Sequence, residues 1–383
     1  MDKQTYVILG GGRIGGNVLG VISRAGEIEK IVLIASRDTY QEVEQKFQGS
    51  LPPGKLKMRM SVEPEDCDEI FRILCNLGEK EKNAIYVDIT SSPKFMVIPA
   101  INFILTHPRT RLVLVNSKKG EICLFMGKGS EIILCGKERI RKIGVKEYLK
   151  IYGVEYEKSF SLERPKMTEE MAWDFCKKII GMKENGTKIM EQLRKRLKNV
   201  RKWQGKKNIG MRKCSPALIR FLRYINEIGI IENLEVRGDR VRFEMDKISN
   251  EWIKGRWLEY YVYKVARKHS IFDDCEYSIR IKRENIQNEL DFIGVKGGIA
   301  SIGECKSGKI ESRDIGILQT IVSIIGGEYV RKFLILHTFE KENGKKKVLE
   351  RARGLRIRVL MGEELMEEKM VEILGRERAF SPV

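Results

Sequence analysis

Short apolar runs alternate with segments of helical period along the first 150 residues. TYVILG, KIVLIAS, NAIYVDIT and RLVLVNS have strand length and are rich in apolar and β-branched residues. Between them, RIGGNVLGVISRAG, PEDCDEIFRILCNLG and PKFMVIPAINFILTH repeat their apolar positions at helical spacing. That rhythm predicts an α/β fold with a doubly wound parallel sheet. ICLFMGKGSEIILC then predicts an appended hairpin with a glycine turn.

The pattern changes after residue 150. MTEEMAWDFCKKIIG, TKIMEQLRKRLKNVRKW and SPALIRFLRYINEIG predict three helices, the last capped by Ser215 with Pro216 at its first position. LEVRGDRVRFEM predicts a hairpin turning at Gly238-Asp239, so residues 151–247 read as a small winged-helix-like module or linker. From 248 to 383 the order is different again. GRWLEYYVYKVARKH predicts an amphipathic helix and ELDFIGVKGGIASIGECKSG a hairpin; KFLILHTF, ERARGL and RIRVLM predict strand, helix and strand before a helical tail. The chain therefore divides into 1–150, 151–247 and 248–383, with no internal repeat.

Composition narrows the partners. The 383 residues leave room for two or three domains. No apolar run is long enough to span a membrane, and MDKQTYVILGGG lacks a signal-peptide pattern. Eight cysteines occur with no CxxC spacing, several inside apolar segments (Cys75, Cys123, Cys135), which predicts reduced core thiols in a cytoplasmic protein. A formal charge of +19 points to a polyanionic partner, most simply nucleic acid. With only His107, His269 and His337 present, histidine-based metal chemistry is disfavoured and carboxylate chemistry is not.

The predicted hairpin carries that chemistry. Glu304 and Lys306 share one face of its second strand, with Cys305 on the other. A two-residue turn at Gly297-Gly298 sets Asp291 opposite Glu304. Two carboxylates paired across strands repel, and a divalent cation between them removes the repulsion. A neighbouring lysine can then hold or activate a water, as metal-dependent phosphodiester hydrolysis requires. The plain alternative is a hairpin whose polar face is solvated.

Two loops stand out in the first 150 residues. Gly10, Gly12 and Gly15 form GxGxxG after the first strand, where backbone N–H groups and a helix start can hold phosphate. The second strand ends in Ala35-Ser36-Arg37 instead of the acid that would hold an NAD ribose, so a dinucleotide reading reduces to NADP at best. A tight turn that packs helix on sheet, or a site for another phosphate-rich nucleotide, accounts for the loop equally. Asp88-Ile89-Thr90-Ser91-Ser92-Pro93-Lys94 is the second loop: a strand end, a hydroxyl-rich turn and a lysine, suited to a phosphodiester.

A helix bearing Glu259 followed by a hairpin with Asp291, Glu304 and Lys306 resembles the PD-(D/E)xK nuclease superfamily, from about Asp246 to the C-terminus. No proline precedes Asp291, so the literal PD is absent. The resemblance implies Mg²⁺ or Mn²⁺ on Asp291 and Glu304, with Glu259 completing the shell and Lys306 assisting the attacking water. The two N-terminal loops resemble the CARF domain, a Rossmann-like sensor of cyclic oligoadenylates made by type III CRISPR complexes. Ser91-Ser92-Pro93 stands where that family is usually glycine-rich. By position, this resemblance implies ligand contacts from Gly11, Gly12, Arg13, Ile14, Ser36, Arg37, Thr90, Ser91, Ser92 and Lys94, with Asn116 and Ser117 nearby. It also implies a two-fold homodimer holding one cyclic ligand across the axis. CARF sensors often carry an HEPN ribonuclease marked by Arg-x₄-His, but no histidine here has an arginine five positions before it. CARF with PD-(D/E)xK resembles the CRISPR-accessory nucleases activated by cyclic tetra-adenylate.

Arg194 to Lys213 is basic and free of acids, with Trp203 inside it. A single-sign run of this kind suits a phosphate backbone, making Arg201, Lys202, Lys206 and Lys207 candidate contacts, and Gln319 a further one. Lys345, Lys346 and Lys347 read as an exposed loop. The leading expectation is a ligand-gated, metal-dependent nuclease acting on DNA or RNA. The alternative is a CARF winged-helix regulator that binds nucleic acid through a relic nuclease fold.

Overall fold

The computed structural model describes residues 3–11, 15–41, 43–44, 54–63, 65–117, 119–159, 167–197, 205–283, 286–308, 310–326, 330–338 and 346–376. Packing divides the chain into two compact units. The first is Met1–Glu155 with Val295–Ala300 and Ile324–Tyr329; the second is the remainder, from Tyr156 onward. Each is described on its own.

In the first unit, seven strands form one sheet: β1 Gln4–Gly10, β2 Ile28–Ser36, β3 Leu56–Val62, β4 Ala84–Asp88, β5 Thr110–Asn116, β6 Glu121–Lys128 and β7 Glu131–Arg139. Their order is β3-β2-β1-β4-β5-β6-β7. The first five are parallel, and β6 and β7 add the antiparallel hairpin expected from the sequence. β1 is buried at every position, as a central parallel strand with both faces covered must be. Helices Cys67–Lys80 and Lys94–Thr106 cover one face, placing Ile70, Leu74, Met96 and Phe103 against Val7, Leu9, Val32 and Ile34. Asp66 caps the first of these, its side chain accepting from Glu69 N at 2.7 Å. The strand pattern missed β3, whose burial alternates along LKMRMSV as an edge strand's does.

In the second unit, helices Glu169–Gly181, Lys183–Leu197 and Pro216–Glu227 accompany a three-stranded sheet of order β10-β11-β9, whose first strand in the chain lies between the second and third of them. Its strands are β9 Lys207–Met211, β10 Glu232–Arg237 and β11 Arg240–Met245. The turn falls at Gly238-Asp239 as expected, and Ser215 caps its helix by accepting from Leu218 N at 3.2 Å. This is the winged-helix-like module. Its buried side chains run without a break into those of the C-terminal segment, from Met167 to Leu374.

Five strands of that segment, with one from residues 155–158 added at the edge, form a six-stranded sheet of order β16-β15-β14-β13-β12-β8. The strands are β8 Glu155–Lys158, β12 Asp274–Arg283, β13 Ile286–Lys296, β14 Ile299–Lys306, β15 Arg331–Leu336 and β16 Arg358–Met361. β14, β15 and β16 are mutually parallel. β13 and β14 meet at the predicted two-residue turn, with Gly297 at φ 56° and Gly298 at φ 75°. Two successive positive φ values define the turn that matches strand twist, and glycine adopts them without strain.

Three expectations are corrected. Cys135 is exposed instead of buried, although all eight thiols are free. Lys346 and Lys347 open the helix Lys346–Gly354, with Lys345 outside the described residues. Arg194, the first of the basic run, turns inward and donates to Ser307 Oγ at 2.6 Å; burial lowers its pKa to about 10.

Candidate functional site

The helix Trp257–Lys268 begins just after a kink at Gly255, whose backbone is extended and not helical. Its first two turns are buried all round, so Glu259 sits among Trp257, Leu258, Tyr260 and Tyr261 at only 6 % exposure. β13 is buried without interruption from Leu290 to Val295, and β14 from Ala300 to Cys305. Asp291 and Glu304 are therefore 9 % and 5 % exposed, which rules out the solvated hairpin face.

Each acid has fixed partners. Asp291 Oδ2 accepts from Cys305 N at 2.8 Å, tying it to the strand that carries Glu304. Glu304 Oε1 lies 2.6 Å from Lys306 Nζ, and Lys306 Nζ lies 3.5 Å from Asp314 Oδ1. Glu259 takes Arg256 Nη1 on both oxygens, at 3.2 and 3.0 Å, and the hydroxyl of Ser278 on Oε2. Arg256 Nη2 also reaches Glu289 at 2.5 Å. Ser278 holds φ at 48° inside β12, a strained backbone in a strand whose burial alternation breaks there.

Burial is the main reason these acids have raised pKa values, and the Asp291 charge adds to it at Glu259 and Glu304. Burial, then the Asp291 charge, pushes Glu259 and Glu304 up to about 8. Burial pushes Asp291 up to about 6, against the pull of Lys306 and the Cys305 N–H. Lys306 is raised as well: burial lowers its pKa, but the Glu304 and Asp291 charges outweigh that and hold it above the usual ammonium range. Carboxylates that resist ionisation beside one another are the electrostatic signature of a cation site.

Hard carboxylate oxygens also suit Mg²⁺ or Mn²⁺ by type. Among the described residues no three His, Cys, Asp or Glu groups are gathered closely enough to hold an ion in this arrangement. The Lys306 ammonium lies on Glu304 instead. The donors fit a divalent ion by their chemistry, provided Lys306 yields its place.

Of the residues expected from the sequence, Asp291, Glu304, Lys306 and Glu259 are buried or half-buried and interact, and Arg256, Ser278 and Asp314, which the sequence reading did not name, contact them. Glu259–Arg256 at three-residue helical spacing was the one available signal. Of the candidate nucleic-acid contacts, Arg201 and Lys202 lie outside the described residues. Lys206 pairs with Glu232 at 2.7 Å, Lys207 opens β9, and Gln319 is half-buried on the helix Ser312–Ile324 with its Nε2 enclosed.

In the first unit, Gly10, Ser36, Asp88 and Asn116 end the adjacent strands β1, β2, β4 and β5, so both loops lie on the carboxyl edge of the parallel sheet. Gly11 is pressed on the second loop: a Cβ there would meet Ser91 O at 2.3 Å. Gly12, Arg13 and Ile14 lie outside the described residues. The turn is pinned from three sides. Ser92 Oγ donates to Leu9 O at 2.8 Å, Thr90 Oγ1 accepts from Val115 N at 2.9 Å, and Asp88 Oδ1 accepts from Thr90 N at 2.9 Å. Thr90 and Ser92 thus shape the loop, while Ser91 is half-buried and Lys94 is exposed. Ser36 Oγ contacts Thr39 Oγ1 at 2.6 Å, exposed Arg37 pairs with Glu63 at 3.0 Å, and Asn116 Oδ1 accepts from Lys119 N at 3.3 Å, with Ser117 half-buried beside it.

Residues 246–378 match the model of the Card1-like endonuclease domain. Protein VC1899 from Vibrio cholerae has a similar fold (TM-score 0.79, 15% identity), covering 98% of this chain and 99% of its own. Can2 from Sulfobacillus thermosulfidooxidans, solved in complex with cyclic tetra-adenylate, is also similar (TM-score 0.73, 18% identity, 97% of each chain). No curated protein matches in sequence. The chain thus shares its fold with VC1899 and Can2 along nearly its whole length, and its residues 246–378 match a Card1-like endonuclease domain.

Proposed function

We propose that this chain is a divalent-metal-dependent endonuclease of type III CRISPR antiviral defence, switched on by cyclic tetra-adenylate. One observation carries the catalytic half: Asp291, Glu304, Glu259 and Lys306 are buried as an interacting set inside the segment that matches an endonuclease domain. Residues 248–383 would be the nuclease, 1–150 the sensor, and 151–247 the segment joining them.

Mg²⁺ or Mn²⁺ held by Asp291, Glu304 and Glu259 would supply Lewis-acid polarisation of the phosphodiester and a water of lowered pKa. The chain supplies the rest. The Cys305 N–H fixes one Asp291 oxygen, and Arg256 with Ser278 fixes Glu259. Lys306 orients the attacking water and offsets charge gathering on the phosphate oxygens. The excess of basic residues, with Lys206, Lys207, Arg201, Lys202 and Gln319 as candidate contacts, would hold DNA or RNA by its backbone.

Cyclic tetra-adenylate, the ligand with which Can2 was solved, would lie on the carboxyl edge built by Gly11 and the Thr90–Lys94 turn. A homodimer is supported by the apolar face of the helix after that turn, where Phe95 and Ile98 are about half exposed. The hairpin tip Val295–Ala300 packs within the first unit, with Gly298 against Leu19 of the helix that follows the glycine loop. Gating requires that ligand bind the competent state more tightly than the resting one. The free thiols fit a cytoplasmic setting.

Cleavage of plasmid, single-stranded DNA and RNA with Mg²⁺ or Mn²⁺, with and without cyclic tetra-adenylate, tests both halves. At least one substrate should be cut, more than about tenfold faster with ligand. Equal rates without ligand would overturn gating. Ligand-dependent binding without cleavage in any metal would favour the regulator with a relic nuclease fold.

A further inference from the structure

We infer that Asp314 is a positioning residue that receives the Lys306 ammonium when a divalent ion takes Glu304. The inference rests on the metal-site reading above and extends it to how the site loads. Lys306 Nζ lies 2.6 Å from Glu304 Oε1, an oxygen that an ion on Glu304 could also take. Where the ion takes that oxygen, the two cations compete for it and Lys306 must move. Asp314 Oδ1 is 3.5 Å from the same Nζ, and a shift of about 0.7 Å makes it an ordinary charge-assisted hydrogen bond. A lysine on a flexible stem can make that move with little other rearrangement.

Asp314 is built for the purpose. It is 7 % exposed in the first turn of the helix Ser312–Ile324. Its other oxygen accepts from Glu311 N at 2.8 Å, which fixes the carboxylate and leaves Oδ1 toward Lys306. Lys306 itself is only 29 % exposed, so an ammonium displaced from Glu304 has limited access to water. Without Asp314 the ion and Lys306 would compete for one carboxylate. With it, Lys306 stays charged and beside the ion, where the proposed chemistry uses it.

The test is Mn²⁺ binding to the full chain, measured by calorimetry without nucleic acid. Asp314→Asn keeps an acceptor for Glu311 N and loses the charge, so it should fold with an unchanged thermal midpoint. It should bind Mn²⁺ about tenfold more weakly, a modest share of one charge–charge interaction at this distance. Asp314→Glu should restore binding to within about threefold, since the longer carboxylate still reaches a mobile ammonium. Lys306→Gln removes the competitor and should bind at least as tightly as wild type. Adding Asp314→Asn to it should then change affinity by less than about twofold, the mark of a residue acting only through its partner. An unchanged affinity in Asp314→Asn, or an equal loss in the Lys306→Gln background, overturns the inference alone. If wild type and Glu304→Gln both fail to bind Mn²⁺, the metal reading falls and takes the inference with it.

Discussion

Glu304→Gln is expected to lower cleavage by about a thousandfold or more, with no loss of thermal stability. The substitution keeps side-chain volume and hydrogen bonding and removes one charge from the proposed ion shell. A buried structural acid would behave differently, because breaking a buried pair is usually destabilising. Glu304 is held up to about 8 by burial and then by Asp291, so its charge opposes folding in the metal-free chain. The sign follows from linkage. A carboxyl whose pKa is raised on folding binds its proton more tightly in the folded state, so stability is greatest at low pH. It is lost as pH rises from the ordinary carboxylate range toward about 8. In chelator, wild type should therefore lose thermal midpoint as pH rises from about 5 to about 8, and Glu304→Gln should lose less. At pH 8 the variant should match wild type or exceed it by about 2–4 °C, the effect of roughly 1 kcal/mol in a domain of 150–250 residues. Lys306 loses its nearest partner in the variant but keeps Asp314, which limits the compensating cost. Wild-type cleavage by Glu304→Gln would remove Glu304 from the proposed shell. A midpoint more than 5 °C below wild type at pH 8 would mark it as a structural acid.

The hairpin was legible because its information is local. Gly297-Gly298 specifies a two-residue turn, and once the turn is fixed the strand period places Asp291, Glu304 and Lys306. The same holds for the Ser215-Pro216 helix start and for the βαβ rhythm of the first 150 residues. Contacts across long sequence separations were not legible. Arg194 belongs to a single-sign run that looks like a surface track, yet its side chain reaches Ser307, 113 residues later. Asp314 looked like an ordinary acid in a helix's first turn, where it would suit the helix dipole anyway. Ser278 gave no signal at all, since a strained φ depends on what the backbone is packed against. The strand pattern also understated burial. Alternation suggested a polar face for the hairpin, whereas β13 and β14 are internal strands enclosed on both sides. That enclosure turns a pair of acids from a solvated feature into an electrostatic problem that a cation resolves.

At the other end of the chain, Gly11→Ala is expected to weaken cyclic tetra-adenylate binding by about fiftyfold or more and to abolish the ligand's effect on cleavage. The added Cβ would lie 2.3 Å from the carbonyl oxygen of Ser91 and 3.4 Å from Pro93 Cδ. Carbon and oxygen cannot approach that closely, so one loop must retreat by about 1 Å. The Thr90–Pro93 turn has little freedom to do so. Ser92 ties it to Leu9 in β1, Thr90 ties it to Val115 in β5, and Asp88 holds the Thr90 N–H from beneath. Asp88 is fully buried and also accepts from the Tyr6 hydroxyl at 2.9 Å, so the anchor itself is fixed. The strain therefore falls on the glycine loop, whose N–H groups are the proposed phosphate donors. A ligand site tolerates displacements of about 0.5 Å, and twice that removes several hydrogen bonds at once. Gly26→Ala is the matched control, because nothing lies within 4 Å of its Cβ position and its φ is ordinary. It should bind ligand within about twofold of wild type, since an unstrained surface substitution changes little. Binding measured by calorimetry, beside a thermal midpoint that verifies folding, separates loss of the site from loss of the fold. If Gly11→Ala binds as wild type does, the glycine loop and the Thr90–Lys94 turn do not hold the activator together, and the proposed sensor edge is wrong.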